Sequence, residues 1–251
     1  MRIIVLAAAA AALSGCVTTE TVQFRPSNPQ QQAMVRDGRP ALVSRGKHSL
    51  VMVRPAERKL APGGRPVFVV GIYNMSSQPM DFRVSQVDVS QNVNGQHYPM
   101  QVVTYETLVQ EERNKQVAMA IIAGVAAGAN AYAASRAGHG SFDAVSHGRY
   151  GTVTTSGSFY SPMAAAIAQS NAAVQNEAML SAVVDRGQQN MAALEQTVIK
   201  DNTIFPGEWY GGAMHVSPPT NPPSGSEKNY SLALTIGADQ HVIQVSQAPS
   251  R

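Results

Sequence analysis

The chain has 251 residues, of which 44% are hydrophobic and 14% are charged. This length allows one good-sized domain or two small ones, and the hydrophobic fraction supports a packed core. The formal net charge of +3 comes from scattered residues, which excludes the clustered basic surface of a nucleic-acid-binding protein. The single cysteine excludes an intramolecular disulfide and a thiolate metal cluster.

The N-terminus has the pattern of an export signal. Arg2 precedes residues 3–13, an uncharged apolar run that is too short for the roughly 20 residues of a membrane-spanning helix. Two small residues, Ser14 and Gly15, then precede the only cysteine, Cys16. This arrangement predicts a signal peptide over residues 1–15.

The run Leu13-Ser14-Gly15-Cys16 resembles the lipobox of bacterial lipoprotein precursors, and the resemblance covers residues 1–16. It implies that Cys16 becomes the first mature residue and carries a thioether-linked diacylglycerol and an amide-linked acyl chain, such as palmitate, which together give stable membrane anchoring. Val17, where an Asp would favour inner-membrane retention, implies the outer membrane. The alternative is an ordinary secretory signal with a chance cysteine.

Residues 16–40 are expected to form a flexible tether. The segment contains Pro26, Pro29 and the run Gln30-Gln31-Gln32, which offer little to bury. Such a tether would let an anchored domain stand away from the lipid surface.

Residues 41–103 are predicted to be β-structure. The segments 48–54, 67–74 and 80–93 are rich in β-branched and aromatic residues, with partial alternation. Asn94-Gly95 is a strong signal for a tight hairpin.

Residues 104–200 predict two helices. Thr104 is a candidate cap for the first, and residues 117–135 contain no charge and are rich in alanine. A Gly/Ser-rich loop is expected over residues 138–161, and Ser161-Pro162 then fits the start of the second helix. That helix is predicted to carry one apolar stripe, made of Ile167, Val174, Met179, Val183, Leu194 and Val198.

Residues 203–251 return to β-structure, with strands over 208–216, 230–236 and 242–245. Because each β zone is small alone, we expect an α+β fold in which 41–103 and 203–251 form one antiparallel, immunoglobulin-like β-sandwich. Residues 104–200 would then be a helical hairpin inserted between strands. The alternative is two small β units flanking a helical one.

The sequence predicts neither a catalytic nor a metal site. No histidine lies in a metal-binding pattern, and His139, His147 and Asp143 fall in the predicted loop, where solvated side chains are the simpler interpretation. There is no nucleophile elbow and no phosphate-binding or dinucleotide-binding loop. Glu111 and Glu112 are adjacent on a helix and splay apart. We therefore expect no enzyme activity and no cofactor.

A candidate ligand platform is formed by Trp209 and Tyr210, which precede Gly211-Gly212. The glycines would permit close approach of another backbone. The simpler interpretation is that one aromatic ring fills the core and the glycines mark a bulge.

The first helix contains the spaced set Ala120, Gly124, Gly128 and Tyr132. Small residues four apart make a flat groove that a partner helix approaches closely. Three interpretations remain open: the two helices pack on each other, they pack with other copies or another envelope protein, or the first helix inserts in a membrane.

The expected function is that of a non-enzymatic envelope lipoprotein whose helical hairpin serves self-association or a partner assembly. Two alternatives remain. One is a ligand-binding or glycan-binding module that uses the sandwich, and the other is a hydrolase whose site residues are not close in sequence.

Overall fold

The computed structural model describes residues 19–61, 63–93, 95–149, 151–219 and 227–249. The predicted signal peptide and Cys16 lie outside these residues. The fold is mixed α+β, with mostly antiparallel sheets and two long helices. The chain divides into a β unit, which comprises the residues up to 105 and from 197 onward, and a helical unit, residues 106–196.

The described strands have the following bounds in chain order. They are β1 Glu20–Arg25, β2 Gln31–Arg36, β3 Arg39–Arg45, β4 Ser49–Pro55, β5 Val67–Asn74, β6 Met80–Phe82, β7 Val87–Val93, β8 Gln96–Met100, β9 Val102–Val103, β10 His139–Gly148, β11 Gly151–Tyr160, β12 Asn202–Ile204, β13 Trp209–Val216, β14 Lys228–Ile236 and β15 Asp239–Pro249.

The β unit is built from two large antiparallel sheets in a sandwich-like arrangement. One has the strand order β1-β15-β14-β7-β8, and the other has β2-β3-β4-β5-β13-β9. Strands β6 and β12 form a small separate pair. Both predicted β zones therefore contribute to the same body.

The core lies between the sheets because alternate residues of each strand point inward. In β5, Phe68, Val70 and Ile72 are buried, and in β14 the series from Tyr230 to Ile236 is buried in the same way. Each fully buried aliphatic side chain contributes about 1.5–3 kcal/mol relative to exposure. This alternation is the sequence pattern that predicted the strands.

The expected tether over residues 16–40 is wrong for its described part. Strand β1 pairs with β15 and buries Val22 and Phe24, while β2 pairs with β3. Asp37 and Gly38 both have positive φ, 51° and 68°, as a two-residue hairpin turn requires. Apolar alternation in β1 and the Asp-Gly turn explain why this segment folds.

The helical unit contains α1 Tyr105–Arg136 and α2 Pro162–Thr197, as the sequence predicted. Ser161 caps α2: its hydroxyl accepts a hydrogen bond from the backbone N–H of Ala164 at 3.3 Å. Pro162 is the first helical residue.

The expected loop over residues 138–161 is wrong, because the segment forms the hairpin of β10 and β11. Gly140 and Gly157 leave room that phenylalanine rings from the facing strand occupy, Phe159 over Gly140 and Phe142 over Gly157. Each ring thus compensates for a glycine that offers no side chain of its own.

The two helices run antiparallel and contact each other through small and amide side chains. Gln116 Nε2 donates to the Gly187 carbonyl at 3.1 Å, and Asn130 Nδ2 donates to Asn176 Oδ1 at 3.0 Å. A third bond joins Asn190 to Glu112. The alanines buried in this unit are Ala123, Ala134, Ala165 and Ala172.

The predicted single apolar stripe of α2 is divided. Met179 and Val183 are partly buried and line a groove with α1, whereas Ile167 and Val174 are exposed. The helix therefore presents apolar side chains on two sides rather than one.

Candidate functional site

The small-residue face of α1 is not the face that contacts α2. Ala120, Gly124, Gly128 and Tyr132 are all exposed. Apart from the adjoining residues and backbone of α1 itself, no described atom lies within 4 Å of the position that a Cβ would take at either glycine. The helices do pack on each other, but the packing leaves this predicted binding face open.

The exposed surface of α1 is apolar well beyond the small-residue set. Val117, Ile121, Ile122 and Val125 are more than half exposed, and Val125 reaches 71%. Within the described part of the chain, α1 is long and apolar enough to cross a membrane by length and composition, and only 11% of its most apolar stretch is buried. The exposed apolar surface of α1 is therefore the candidate interaction surface of the helical unit.

The surface of α2 extends this apolar region. Met163, Ile167, Val174 and Val184 are more than half exposed. Between residues 117 and 176 the only charged side chains are Arg136, Asp143 and Arg149. Over residues 117–176 the helical unit therefore presents an almost charge-free surface, whereas the helix segments 105–116 and 177–197 carry exposed charged side chains.

The hairpin at the end of the helix pair is also exposed. Phe142, Val153 and Phe159 are each about half exposed or more. On the other face, His147 Nδ1 lies 2.9 Å from Thr152 Oγ1, and the His139 and Tyr160 rings are 4.9 Å apart.

The possibility that His139 and His147 meet at a metal ion does not fit the hairpin. Both lie on one extended strand, about 27 Å apart at the rise per residue of an antiparallel sheet. Among the residues that the structure describes, no three metal-ligating side chains form a group that would hold an ion.

Trp209 and Tyr210 point in different directions from β13. Trp209 is 59% exposed, and its ring centroid lies 5.1 Å from that of Tyr73. Tyr210 is half buried; its hydroxyl donates to the Lys200 carbonyl at 2.8 Å, and its ring faces Phe82. The candidate platform is therefore split, because only Trp209 is presented to solvent.

Another backbone lies close to Gly211 and Gly212. A Cβ at Gly211 would lie 2.2 Å from the Val70 carbonyl oxygen, and one at Gly212 would lie 2.7 Å from that of Thr197. Strand β13 pairs with β5 in continuous register over this stretch, so the alternative of a bulge is wrong.

A groove of about 860 Å³ lies at one end of the β unit. Its lining is mixed: the polar members include His48, Gln78 and Asp81, and the apolar members include Met75 and Met80. Neither Trp209 nor Tyr210 lines it. The exposed tryptophan and the groove are therefore separate features.

A serine, a histidine and an acid do converge inside the β unit. Ser49 Oγ lies 2.8 Å from both His241 Nε2 and Asp239 Oδ2. His241 Nδ1 lies 2.9 Å from Ser44 Oγ, and Asp239 also accepts bonds from the backbone N–H groups of His48 and Ser49. No sequence motif connects Ser44 and Ser49 with Asp239 and His241, which lie far from them along the chain.

The arrangement does not match a nucleophilic triad. There the acid orients the histidine, whereas here Ser49 bridges Asp239 and His241 and both ring nitrogens of His241 face serines. Ser49 is 0% exposed and His241 is 2% exposed, so a substrate does not reach the hydroxyl. We interpret the cluster as a structural network.

The ionisable members of this network have shifted pKa values. Burial favours a higher pKa for Asp239, but hydrogen bonds from His48 and Ser49, with a smaller effect of His241, hold it below its usual value. Burial lowers the pKa of His241, although Asp239 acts in the opposite direction. At neutral pH the cluster therefore holds a carboxylate and a neutral imidazole.

A second buried polar cluster lies within the sheet that contains β1, β15 and β14. Lys228 Nζ contacts the two carboxylate oxygens of Glu20 at 2.7 and 2.6 Å, and Gln247 also donates to Glu20. Burial, together with the charge of Glu20, raises the pKa of the Tyr230 hydroxyl. Both charges of the pair are almost completely buried, which indicates a structural role.

Comparison with protein-family models, with curated proteins and with solved structures finds no match to this chain.

Proposed function

We propose that this chain is a non-enzymatic, lipid-anchored envelope protein whose helical unit binds further copies of the same chain. The observation that supports this proposal is the open, charge-free apolar face of α1 around Gly124 and Gly128. The immunoglobulin-like class of the sandwich and an outer-membrane location through Cys16 belong to the same proposal.

The energetics favour covering this face. Full burial of one Val or Ile contributes about 1.5–3 kcal/mol, and Val117, Ile121 and Val125 all face outward. The glycines let a second helix approach closely and gain packing contacts. Burial of even part of this surface favours association.

A second copy is the partner that we favour. Each copy carries the same flat face, and two such faces are complementary because neither presents a charge that must be neutralised. The groove is made of the chain's own small residues, so copies pack without any other component. A different envelope protein is the alternative partner.

Photocross-linking in cells tests this proposal. A photoreactive residue replaces Val125, which faces outward, and a control replaces Lys115, which is exposed beside the groove between the helices. We expect an adduct at twice the chain mass from position 125 and little from position 115. An adduct to a different protein would show that the helical unit binds a partner protein rather than further copies. If all adducts are intramolecular, neither self-association nor partner binding through this face occurs.

Ligand binding at the sandwich is the second candidate function, and the observation that favours it is the exposed ring of Trp209 on Tyr73. Trp209 is the only tryptophan of the chain, so its fluorescence reports directly on this surface. Titration with peptidoglycan fragments or lipopolysaccharide would change the emission if the platform binds them. Tyr73→Ala, which removes the supporting ring, should then weaken the response.

A further inference from the structure

The hairpin of β10 and β11 is amphipathic. Side chains alternate between its two faces, and directly paired residues share a face. One face carries Phe142, Ala144, Val153 and Phe159 together with Ser146, Thr155 and four glycines, and it has no ionisable group within the two described strands. The ionisable side chains of these strands all lie on the opposite face: His139, Asp143, His147 and Tyr160.

The strands have the length of membrane-spanning β-strands. Each has 10 residues, and a transmembrane strand needs about 9–11 residues at its usual tilt. Alternation of apolar and polar side chains along such a segment is the pattern of outer-membrane barrels. The two strands follow it except at Val145, which lies on the polar face, and at Ser146 and Thr155, which lie on the charge-free face. Arg149 lies in the turn between the strands, where it would remain in water beyond the hydrocarbon.

The hairpin lacks its own source of stability in water. Among the described residues, β10 and β11 pair only with each other, and their side chains are almost all exposed. A lone two-stranded hairpin is marginally stable at best. Each outer edge also carries backbone groups that are ready to pair with another strand.

Further copies of the same hairpin would supply the strands with which these edges can pair. In a bilayer every backbone group must be hydrogen-bonded, so strands span it only as a closed barrel. The second strand of one hairpin is antiparallel to the first strand of its neighbour, which allows the ring to close. One hairpin alone leaves two edges unsatisfied, and a ring of hairpins leaves none.

The hairpin is joined directly to the helix pair. The backbone N–H of Ser161 donates to the Gly138 carbonyl at 2.7 Å, and Gly138 is buried near Ala165. Association of helix pairs through α1, the function proposed above and the basis of this inference, would bring the hairpins of neighbouring copies side by side.

We infer that the hairpins of several copies pair edge to edge and form a β-barrel that spans a lipid bilayer. The charge-free face of each hairpin contacts lipid. The face with His139, Asp143 and His147 lines a water-filled channel. The chain therefore has a pore-forming activity in addition to anchoring and association.

Two substitutions at adjacent positions test the inference. Ala144 and Val145 lie in the middle of β10 on opposite faces, and both are exposed. The purified full chain is reconstituted in vesicles of phosphatidylethanolamine and phosphatidylglycerol that contain carboxyfluorescein. We expect dye release by the wild type, release within about twofold for Val145→Arg, and a loss of at least about tenfold for Ala144→Arg, because a charge on the lipid-facing side opposes insertion.

The opposite order would contradict the inference. If apolar content alone mattered, loss of the larger Val145 would be the more harmful change. Equal activity of the two variants, or a wild type that releases no dye, also overturns it.

Fluorescent labelling is a second measurement that does not depend on the arginine variants, one of which could lose activity because it fails to assemble. An environment-sensitive dye attached to Ala144→Cys should shift to the blue in vesicles, and the same dye on Val145→Cys should not. The unsubstituted chain measures labelling at Cys16. If position 125 cross-links two copies but the vesicles release no dye, or the two labelled positions give the same emission, the barrel is refuted and the association stands. If no cross-linked copies form, the proposed association itself is refuted.

Discussion

His241 and Asp239 connect the two sheets of the sandwich. Asp239 begins β15 and binds the first backbone N–H groups of β4, and His241 reaches Ser44 of β3 as well as Ser49 of β4. Sequence could not reveal this network, because Ser44 and His241 are 197 positions apart and carry no shared motif. Only the pairing of strands brings them together.

The network predicts a loss of stability in mild acid. The lowered pKa of His241 means that the unfolded chain binds more protons than the folded one between that pKa and about 6.5. The free energy of unfolding should therefore fall as the pH drops below about 6.5, by at most about 1.4 kcal/mol per pH unit. Asp239, whose pKa is also lowered, should add a further loss only below about pH 3.9.

Urea unfolding of the wild type and His241→Gln between pH 7.5 and 5 measures this effect. The variant should be less stable at pH 7.5, and the difference between the two proteins should shrink as the pH falls. A difference that stays constant over this range would show that His241 is not held neutral.

The buried pair of Glu20 and Lys228 predicts a non-additive response to mutation. Lys228→Met leaves the Glu20 carboxylate buried without its counter-charge, which should cost about 3–5 kcal/mol. The double variant with Glu20→Gln should recover a large part of that loss. Denaturant midpoints of both variants check this, and a double variant less stable than Lys228→Met would contradict it.

At the scale of elements, sequence predicted the helices more completely than the hairpins. A long uncharged alanine-rich run and the Ser161-Pro162 start are local signals, and both helices follow them. The hairpin of β10 and β11 was missed because Gly, Ser and Thr obscure its alternation. The support that Phe142 gives to Gly157 becomes visible only when the strand pairing is known.

Strands β1 and β2 were missed for a different reason. Prolines and glutamines between them resemble a linker, although Asp37-Gly38 was a readable hairpin signal. The Ala120-Gly124-Gly128-Tyr132 face was readable from spacing alone, but its exposure was not. The exposure depends on the side-chain amides of Gln116 and Asn130, because their hydrogen bonds to α2 turn a different face of α1 toward that helix.

The open face of α1 predicts that one substitution will act in opposite directions on folding and on assembly. Because no described atom beyond the adjoining part of α1 lies within 4 Å of a Cβ at Gly128, Gly128→Leu should stabilise the helix by up to about 1 kcal/mol. The same side chain would fill the groove and prevent close approach of a second copy. Thermal unfolding and analytical ultracentrifugation should show higher stability with less association.

Ala118→Leu is the matched control for that prediction, because Ala118 is exposed on α1 but lies outside the small-residue set. It should leave association nearly unchanged. Equal loss of association in both variants would show that bulk anywhere on the helix is harmful and that the face is not specific.

At the scale of the whole molecule, the helical unit is an insertion into the sandwich. Val103 pairs with His215 and Val198 pairs with Ala213, both on β13, so the two ends of the insertion lie about 7 Å apart along one strand. Sequence placed the insertion between the two β zones. It could not show that both ends meet on the same strand, because that contact is long-range.

Replacement of residues 106–196 by a short Gly-Ser linker should therefore leave a folded β unit. We expect one cooperative unfolding transition and near-native far-ultraviolet dichroism for β-structure, because the buried core lies within the sandwich. The shortened protein should remain monomeric. Retention of every association in that protein would remove the helical unit from the proposed function.

The early start of β1 has a further consequence. Glu20 lies four positions after Cys16. With the proposed acyl anchor on Cys16, the chain between the anchor and the sandwich would therefore span about 14 Å at most. Copies with so short a connecting segment would diffuse within one thin layer at the membrane surface. Their encounters would be governed by the number of copies per membrane area, and this confinement raises the effective concentration far above its value in bulk solution. Assembly would then respond to crowding in the membrane rather than to the total amount of protein in the cell.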